Sequence, residues 1–316
     1  MSLITPALAG KSAAESVRAG LTRRERDTAG LVMSTLLLLA TLFTLLILAT
    51  VLARLFGEAG PYLADRGTGF ITGSIGSDPD EIGISPGLYG SAVIAITVML
   101  LAIPMGIAAA LYLEEYAVTK TRLNQFILVN IRNLAGVPAV IYGVLGFIIF
   151  VKWLGPMTAG KSVIAAGLTM SVLVLPIVVI TSMEAIRAVP QGLRDGGYGV
   201  GASRWEVTRD HVLPYAAPGI LTGTMLSLAR ALGEAAPLII VGAVTGLLPG
   251  TSLTGRFTAL PILIFSWSGK AQPPGSEHSF SEAAAATGVV LLVLVLFFNA
   301  AAIFLRNRFE RRRVGT

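Results

Sequence analysis

In the stretch LARALGEAAPLII, residues 228–240, Arg230 and Glu234 stand four apart within a run apolar enough to lie in hydrocarbon. Helical spacing puts the guanidinium and the carboxylate on one face. A charged arginine at mid-membrane costs about 2.5–3.5 kcal/mol on insertion scales, so such residues face protein or water and mark a pathway. Two readings of the pair stand: a pathway in which the arginine meets a solute, and a structural ion pair. Arg before Glu is the weaker order for such a pair, and a buried pair is poor evidence of stability. Both points favour the pathway.

Other chemistry-bearing residues are sparse. GPMTAGKS, 155–162, matches the phosphate-cradling pattern G-x-x-x-x-G-K-[ST] letter for letter, but a working phosphate loop needs a strand before it and a helix after it in a soluble α/β domain. Between two membrane spans it reads as a glycine-rich turn, and if ATP is used another chain binds it. His211 and His278 fall in loops assigned to opposite sides of the membrane, so they form no common metal site. No Ser, His and Asp set assembles without crossing the bilayer. The chain has no cysteine, which excludes disulfides and thiolate metal sites. Neither catalytic residues nor a metal or cofactor site is expected here.

What must position Arg230 is a membrane bundle. Apolar residues make up 54% of the chain and charged ones 13%, and the mean hydropathy is +0.75. A helix crossing roughly 30 Å of hydrocarbon needs about 20 apolar residues, and the sequence offers six runs of about that length: 31–53, 88–113, 134–151, 163–183, 217–248 and 283–305. Helices are required because lipid cannot satisfy open backbone groups. The expectation is an all-α integral membrane protein with a short N-terminal segment, 1–30, and a six-helix transmembrane domain, 31–316. No loop is long enough for a soluble domain.

Basic residues set the orientation, since cytoplasmic loops retain an excess of Lys and Arg. Lys11, Arg18, Arg23, Arg24 and Arg26 precede the first run; Arg306, Arg308, Arg311, Arg312 and Arg313 follow the last. Lys120, Arg122, Arg132, Arg187, Arg194, Arg204 and Arg209 share their side, whereas Arg54, Arg66, Lys152, Lys161, Arg256 and Lys270 lie opposite. Both termini are expected in the cytoplasm. The basic, then apolar N-terminus is read as an uncleaved span, being too long for a signal-peptide core. The net charge of +6 needs no nucleic acid to explain it, because membrane-flanking arginines account for most of it.

Arg230 then lies about 13 residues into the fifth run, roughly 20 Å from its cytoplasmic start at about 1.5 Å per residue. Pro104, Pro138, Pro176 and Pro237 are expected to kink spans or their edges. Asn130, Arg132 and Asn133 mark the cytoplasmic entry of the third, where Arg132 either snorkels to headgroups or lines an exit. Residues 257–267 are too short to cross and are expected at the outer interface, with Trp267 as a headgroup-level anchor or packed on a companion chain.

One cytoplasmic loop is long and patterned: RAVPQGLRDGGYGVGASRWEVTRDHVLPYAAPG, 187–219. Pro190 suits a helix start and Gly201 a left-handed stop. Ser203 and Glu206 form a capping box opening a second helix to about Val212, which Pro214 should end. Gly196, Gly197, Gly199 and Gly201 weaken the first helix by about 0.5–1 kcal/mol each relative to Ala, so a partner surface is expected to hold it. Tyr198, Ala202 and Trp205, at i, i+4 and i+7, offer an aromatic anchor; Trp205 packing on the chain's own helix ends is the other reading.

At this loop the sequence resembles the permease subunits of ATP-driven importers, which carry E-A-A-x-x-x-G-x9-I-x-L-P. Asp195, Gly196, Gly197, Gly201, Leu213 and Pro214 occupy that register, with D-G-G replacing E-A-A and His211 replacing Ile. The segments SLARALGEAAPLIIVGA, RNLAGVPAVIYGVLGF, IPMGIAAALYLEEYA and FTALPILIFSWS are similar to PstA-type permeases of phosphate importers. The resemblance implies a type I importer bundle in a prokaryotic inner membrane, paired with a PstC-like second permease. It also implies two copies of an ATPase subunit that carry ATP and magnesium, and an extracytoplasmic phosphate-binding protein. In that frame the loop of about 187–216 grips the ATPase through Arg194, Asp195, Gly196, Gly197, Tyr198, Gly201, Arg204, Trp205, Leu213 and Pro214. Arg230, with its fork-shaped guanidinium, and Glu234, which can accept a hydrogen bond from a phosphate hydroxyl and repel a fully deprotonated anion such as sulfate, line the path. The alternatives are an importer permease for another solute (molybdate, sulfate or a polyamine) and, from other classes, an autonomous channel or a membrane-embedded enzyme.

Overall fold

A computed structural model of the chain describes residues 28–117, 121–244 and 251–314, with side chains at all of these except 305, 306 and 308–314. Lys11, Arg18, Arg23, Arg24, Arg26 and Lys120, the side chains of Arg306, Arg308, Arg311, Arg312 and Arg313, and the end of the fifth apolar run lie outside the described residues. Among the described residues every element is helical. The chain divides into two units, Met1–Arg54 and Leu55–Thr316. In the first, the described residues belong to helix α1, Thr28–Thr72, whose side chains such as Leu31, Leu37, Phe43 and Leu46 are exposed. An apolar surface of that kind suits lipid rather than water.

The second unit holds the bundle. After α1, which breaks at Gly67 (φ 51°, ψ −135°), α2 runs over Ser85–Leu111 and ends in a π turn, Tyr112–Tyr116. Helix α3, Arg122–Ala135, is followed by α4, Ala139–Gly146, with its π extension Phe147–Trp153. A single turn, α5 (Gly155–Thr158), leads into α6, Val163–Arg187. Then come α7 (Gln191–Gly199), α8 (Arg204–Val207), a π turn (Thr208–Val212), α9 (Leu213–Gly233), α10 (Ala236–Val241), α11 (Leu260–Trp267) and α12 (Phe280–Val314). Among the described residues five helical stretches are long and apolar enough to cross a membrane, or six if the bent pair α3 and α4 counts as one.

Helix α6 is the most enclosed, packed between α2 and α9. Its small residues permit this: Gly223 of α9 rests against Thr181, and Gly106 of α2 against Val178, the close approach that drives helix association in lipid. Around this axis lie three apolar clusters. One at mid-bundle includes Ile94, Val98, Tyr142, Met170 and Leu232. A second, at one end, includes Tyr62, Phe70, Leu260 and Trp267, and a third, at the other end, Leu113, Ile186, Val207 and Val212.

Four expectations are corrected. The third apolar run is not one helix from 134 onward: α3 and α4 meet at 103°. Pro138 lacks an N–H, and its ring would collide with the carbonyl four residues back, that of Leu134; Gly136 in the same turn lowers the helix's resistance. The fifth run likewise breaks after Gly233, four residues before Pro237, whereas Pro104 and Pro176 stay inside continuous helices. Pro214 does not end the helix opened by Ser203. The π turn Thr208–Val212 widens the coil around the proline, and α8 continues into α9 as one 30-residue helix, an insertion typical of functional sites. Lastly, Trp267 is fully buried in the second cluster, so it is no headgroup anchor.

The phosphate-loop lookalike folds as a turn. Ala159 and Gly160 have φ of 60° and 70°, and the Ser162 hydroxyl accepts from Ala165 N at 3.2 Å to cap α6. Two loops are stitched together at the Trp267 end: Glu277 N and His278 N donate to Asp80 at 2.8 and 2.9 Å. These donors, Glu277's above all, hold the Asp80 carboxyl below the usual carboxylate range.

Candidate functional site

The break in the fifth run sits at the predicted pair. Arg230 occupies the last turn of α9, and Glu234 follows it in extended conformation (φ −86°, ψ 115°). The two are therefore not neighbours on one helical face, as their spacing predicts; the carboxylate is carried past the helix end. Arg230 Nε nevertheless lies 3.4 Å from Glu234 Oε1, with side chains 42% and 29% exposed. A cation in the last turn is attracted by the helix's terminal carbonyls, so the break itself helps hold the guanidinium. Backbone freed from helix at membrane depth is tolerated where it lines a cavity or is buried in protein.

The second break packs beside the first. Gly143 of α4 meets α10 so closely that a Cβ there would lie 2.8 Å from Pro237 Cα. Tyr142, buried in the same turn, donates its hydroxyl to the Leu134 carbonyl at 2.8 Å. That is the acceptor displaced by Pro138. The ring that staples one interrupted span is thus next in sequence to the glycine on which the helix after the other break rests. Sequence reading missed Tyr142, and its only signal was the spacing of an amphipathic ring to a proline break. Arg132 is exposed and lines a cavity of about 300 Å³ between α3 and α6, together with Leu128, Ile131, Ile180, Met183, Glu184 and Arg187.

At the far end of the continuous helix lies the patterned loop. Helix α7 begins after Pro190, Gly201 turns the chain with φ 85°, and Ser203 and Glu206 form the capping box as their spacing predicts. Gly197 is the glycine the fold requires. It is buried against α8 and the following π turn, where a Cβ would lie 2.8 Å from Val207 and 3.4 Å from His211. Gly196 faces open space, and Asp195 is exposed, accepting from Gln191 Nε2 at 3.1 Å. Tyr198 and Trp205 are 41% and 54% exposed. They share no helical face, since the chain turns between them. Trp205's exposure also disfavours its packing on the chain's own helix ends. Leu213 packs against the third cluster, and Pro214 sits in the first turn of α9.

Of two further predicted loop residues, Arg194 turns inward and Arg204 stays exposed over a tyrosine. Arg194 pairs with Glu115 at 2.8 Å and donates to the carbonyls of Val189 and Ile186, and its side chain is 13% exposed. The Arg204 guanidinium lies 5.4 Å from the Tyr116 ring centroid. The carboxylates of YLEEY carried a readable signal, acidic residues directly after an apolar run and facing a basic loop, that sequence reading left unused. His211 and His278 fall at opposite ends of the bundle, in contact with Gly197 and Asp80 respectively. No group of three or more potential metal ligands occurs among the described residues.

Comparison with known proteins agrees with this arrangement. Residues 102–314 match the family model described as binding-protein-dependent transport system inner membrane component. The chain is 31% identical over 289 residues to the phosphate transport system permease protein PstA of Mycobacterium leprae, covering 90% of this chain and 91% of that one. It is 27% identical over 298 residues to the phosphate transport system permease protein PstC of Mesorhizobium japonicum, covering 86% and 88%. Among solved structures, a chain of a bacterial alginate ABC transporter in complex with its pentasaccharide-bound periplasmic protein superposes with a TM-score of 0.62 at 17% identity, over 91% of this chain and 96% of that chain. At that identity the likeness speaks to fold. Together with the family match, it places this protein among the binding-protein-dependent transport system inner membrane components, as a non-catalytic permease subunit of an ABC importer.

Proposed function

We propose that this permease imports phosphate. The observation that carries the reading is an arginine held at a break in a membrane span, beside a carboxylate, in a chain whose relatives include phosphate permeases. Six crossings, with the bent pair α3 and α4 as the third, put both termini in the cytoplasm, as the excess of basic residues on the α7 side requires. The path is shared with a second, PstC-like permease. An extracytoplasmic binding protein delivers phosphate, and two ATPase subunits holding ATP and magnesium dock on Asp195, Gly196, Tyr198, Gly201 and Trp205. Arg194, Gly197, Leu213 and Pro214 shape that docking segment from behind, and Arg204, exposed at the start of α8, belongs to the docking face. Interrupted helices meeting at mid-membrane are the usual ground plan for alternating access, and Arg132 stands on the exit side.

Co-expression with the companion permease and ATPase, followed by reconstitution with the binding protein, tests this. ATP-dependent uptake of phosphate in preference to sulfate and molybdate is the expected outcome. An ATPase that does not co-purify sinks the importer arrangement, whereas co-purification with uptake of a different solute sinks phosphate alone.

Glu234 gives a narrower test. As an ionised acceptor it favours an anion that still carries a proton and repels one that does not. Glu234→Gln is expected to narrow the preference for phosphate over sulfate in competition assays at pH 7. An unchanged preference would leave Glu234 with only its pairing to Arg230.

A further inference from the structure

The turn that closes α2 holds the docking segment at two points and the end of α6 at a third. Glu114 pairs with Arg187 at the end of α6. Glu115, itself 5% exposed, pairs with Arg194 of α7. Tyr116 lies beneath Arg204 at the start of α8. Three consecutive side chains of an ordinary helix diverge by about 100° each, at 3.6 residues per turn, and could not all face one loop. The π turn Tyr112–Tyr116, closed by Ala117 N to the Tyr112 carbonyl at 2.7 Å, carries more residues per turn and fans them through a smaller arc. Arg194 completes the joint from the other side. While one edge of its guanidinium meets Glu115, its remaining donors reach the carbonyls of Val189 at 2.6 Å and Ile186 at 3.0 Å, just past and within the last turn of α6.

We propose that this turn is the joint through which movement of the docking segment is passed to α2, with Glu115 as its positioning residue. The proposal rests on the reading of α7 and α8 as the ATPase-docking segment. Direct chain connection would pass a displacement of α7 only to its own flanking helices, α6 behind it and the α8–α9 helix ahead. The Glu115–Arg194 pair adds α2, which is packed along α6 through most of its length. Helices α2, α6 and α9 then move as one body, and the breaks at Gly136–Pro138 and Glu234–Ala235 are left as the places where the bundle flexes. A buried pair whose guanidinium is bound at all three nitrogens suits such a joint, because it holds one geometry and resists slip.

The chain's lack of cysteine permits a direct test. Spin labels are placed at Gly192→Cys on α7, where a side chain meets open space, and at Met105→Cys on α2, which is exposed. The distance between them is measured in the reconstituted transporter with and without ATP. The same interval is expected in both states, and in Glu115→Gln it is expected to differ between them. Alongside it, Glu115→Gln should keep its ATPase and basal hydrolysis while the solute moved per ATP falls by about 5-fold or more, the usual scale of coupling between sites. An interval that changes with nucleotide in the otherwise native chain overturns the joint. So does a Glu115→Gln transporter with native yield of uptake per ATP. Failure of the unsubstituted chain to retain an ATPase would instead remove the docking reading beneath it.

Discussion

Replacing Arg230 by alanine is expected to reduce uptake roughly 30-fold or more while leaving the ATPase bound. Losing a hydrogen bond to a charged group costs about 1.5–3 kcal/mol, and a guanidinium can make two to a phosphate, at about 1.4 kcal/mol per tenfold. The lower end applies because Arg230 is 42% exposed in this chain alone. The loss has two parts: the guanidinium no longer meets the anion, and Glu234 remains as an uncompensated negative charge on an anion's route. Arg230→Lys restores the charge without the planar fork and should fall between the two, since an ammonium binds phosphate as a point charge and not bidentately. Retention of the ATPase follows from distance, because Arg230 lies near one end of a 30-residue helix whose other end, α8, closes the proposed docking segment. That length is roughly 45 Å at about 1.5 Å per residue. Uptake by Arg230→Ala equal to the native rate, measured with the ATPase still bound, would take the arginine out of the path.

This candidate site was picked out from residue types because hydrocarbon penalises charge so strongly that one arginine in an apolar run stands out. Its geometry was not. Four-residue spacing implies a shared helical face only if the helix continues, and whether a proline kinks or breaks a span depends on its surroundings. Pro138 and Pro237 each have a glycine in the preceding turn, Gly136 and Gly233, and both spans break; Pro104 and Pro176 lack one there and do not. That contrast was available in the letters, though Pro61 follows Gly57 and Gly60 within an unbroken stretch of α1, so glycine's poor helix propensity eases a break without deciding it. The patterned loop of α7 and α8 was read more fully because capping boxes and left-handed glycines are local devices, decided within a few residues. Long-range pairings such as Glu115 with Arg194 depend on which helices become neighbours. Hydropathy finds the spans but is silent on their order in the bundle. Trp267 illustrates the same limit: an aromatic residue after a short apolar run suits a membrane surface and a core equally well, and only packing against α2 and α12 decides.

That packing supports the second large effect. Helix α11 is seated on α2 where no side chain intervenes: a Cβ at Gly90 would collide with the carbonyl oxygen of Thr258. The neighbouring Ser91 hydroxyl accepts from Leu260 N at 2.9 Å and so satisfies the first turn of α11. Phe257 is tied in turn to Val244 by a backbone bond of 2.9 Å, which links α11 to the chain leaving α10 and hence to the break at Glu234. Thr258 cannot retreat, since it is fully buried and its carbonyl belongs to backbone held on both sides. Gly90→Val is therefore expected to cost at or above the top of the usual overpacking range of about 1–3 kcal/mol. In the detergent-solubilised complex this should lower the melting temperature by roughly 6–12 °C. Gly57→Ala, at an exposed helical glycine with nothing nearby, supplies the matched control. It should be neutral or stabilising by up to about 1 kcal/mol through helix propensity alone. Because the misfit enters at α11 and is passed along to the break, Gly90→Val protein that does fold is expected to lose uptake more steeply than it loses ATPase binding. Equal melting temperatures for the two variants would mean that α11 does not rest on α2 through Gly90.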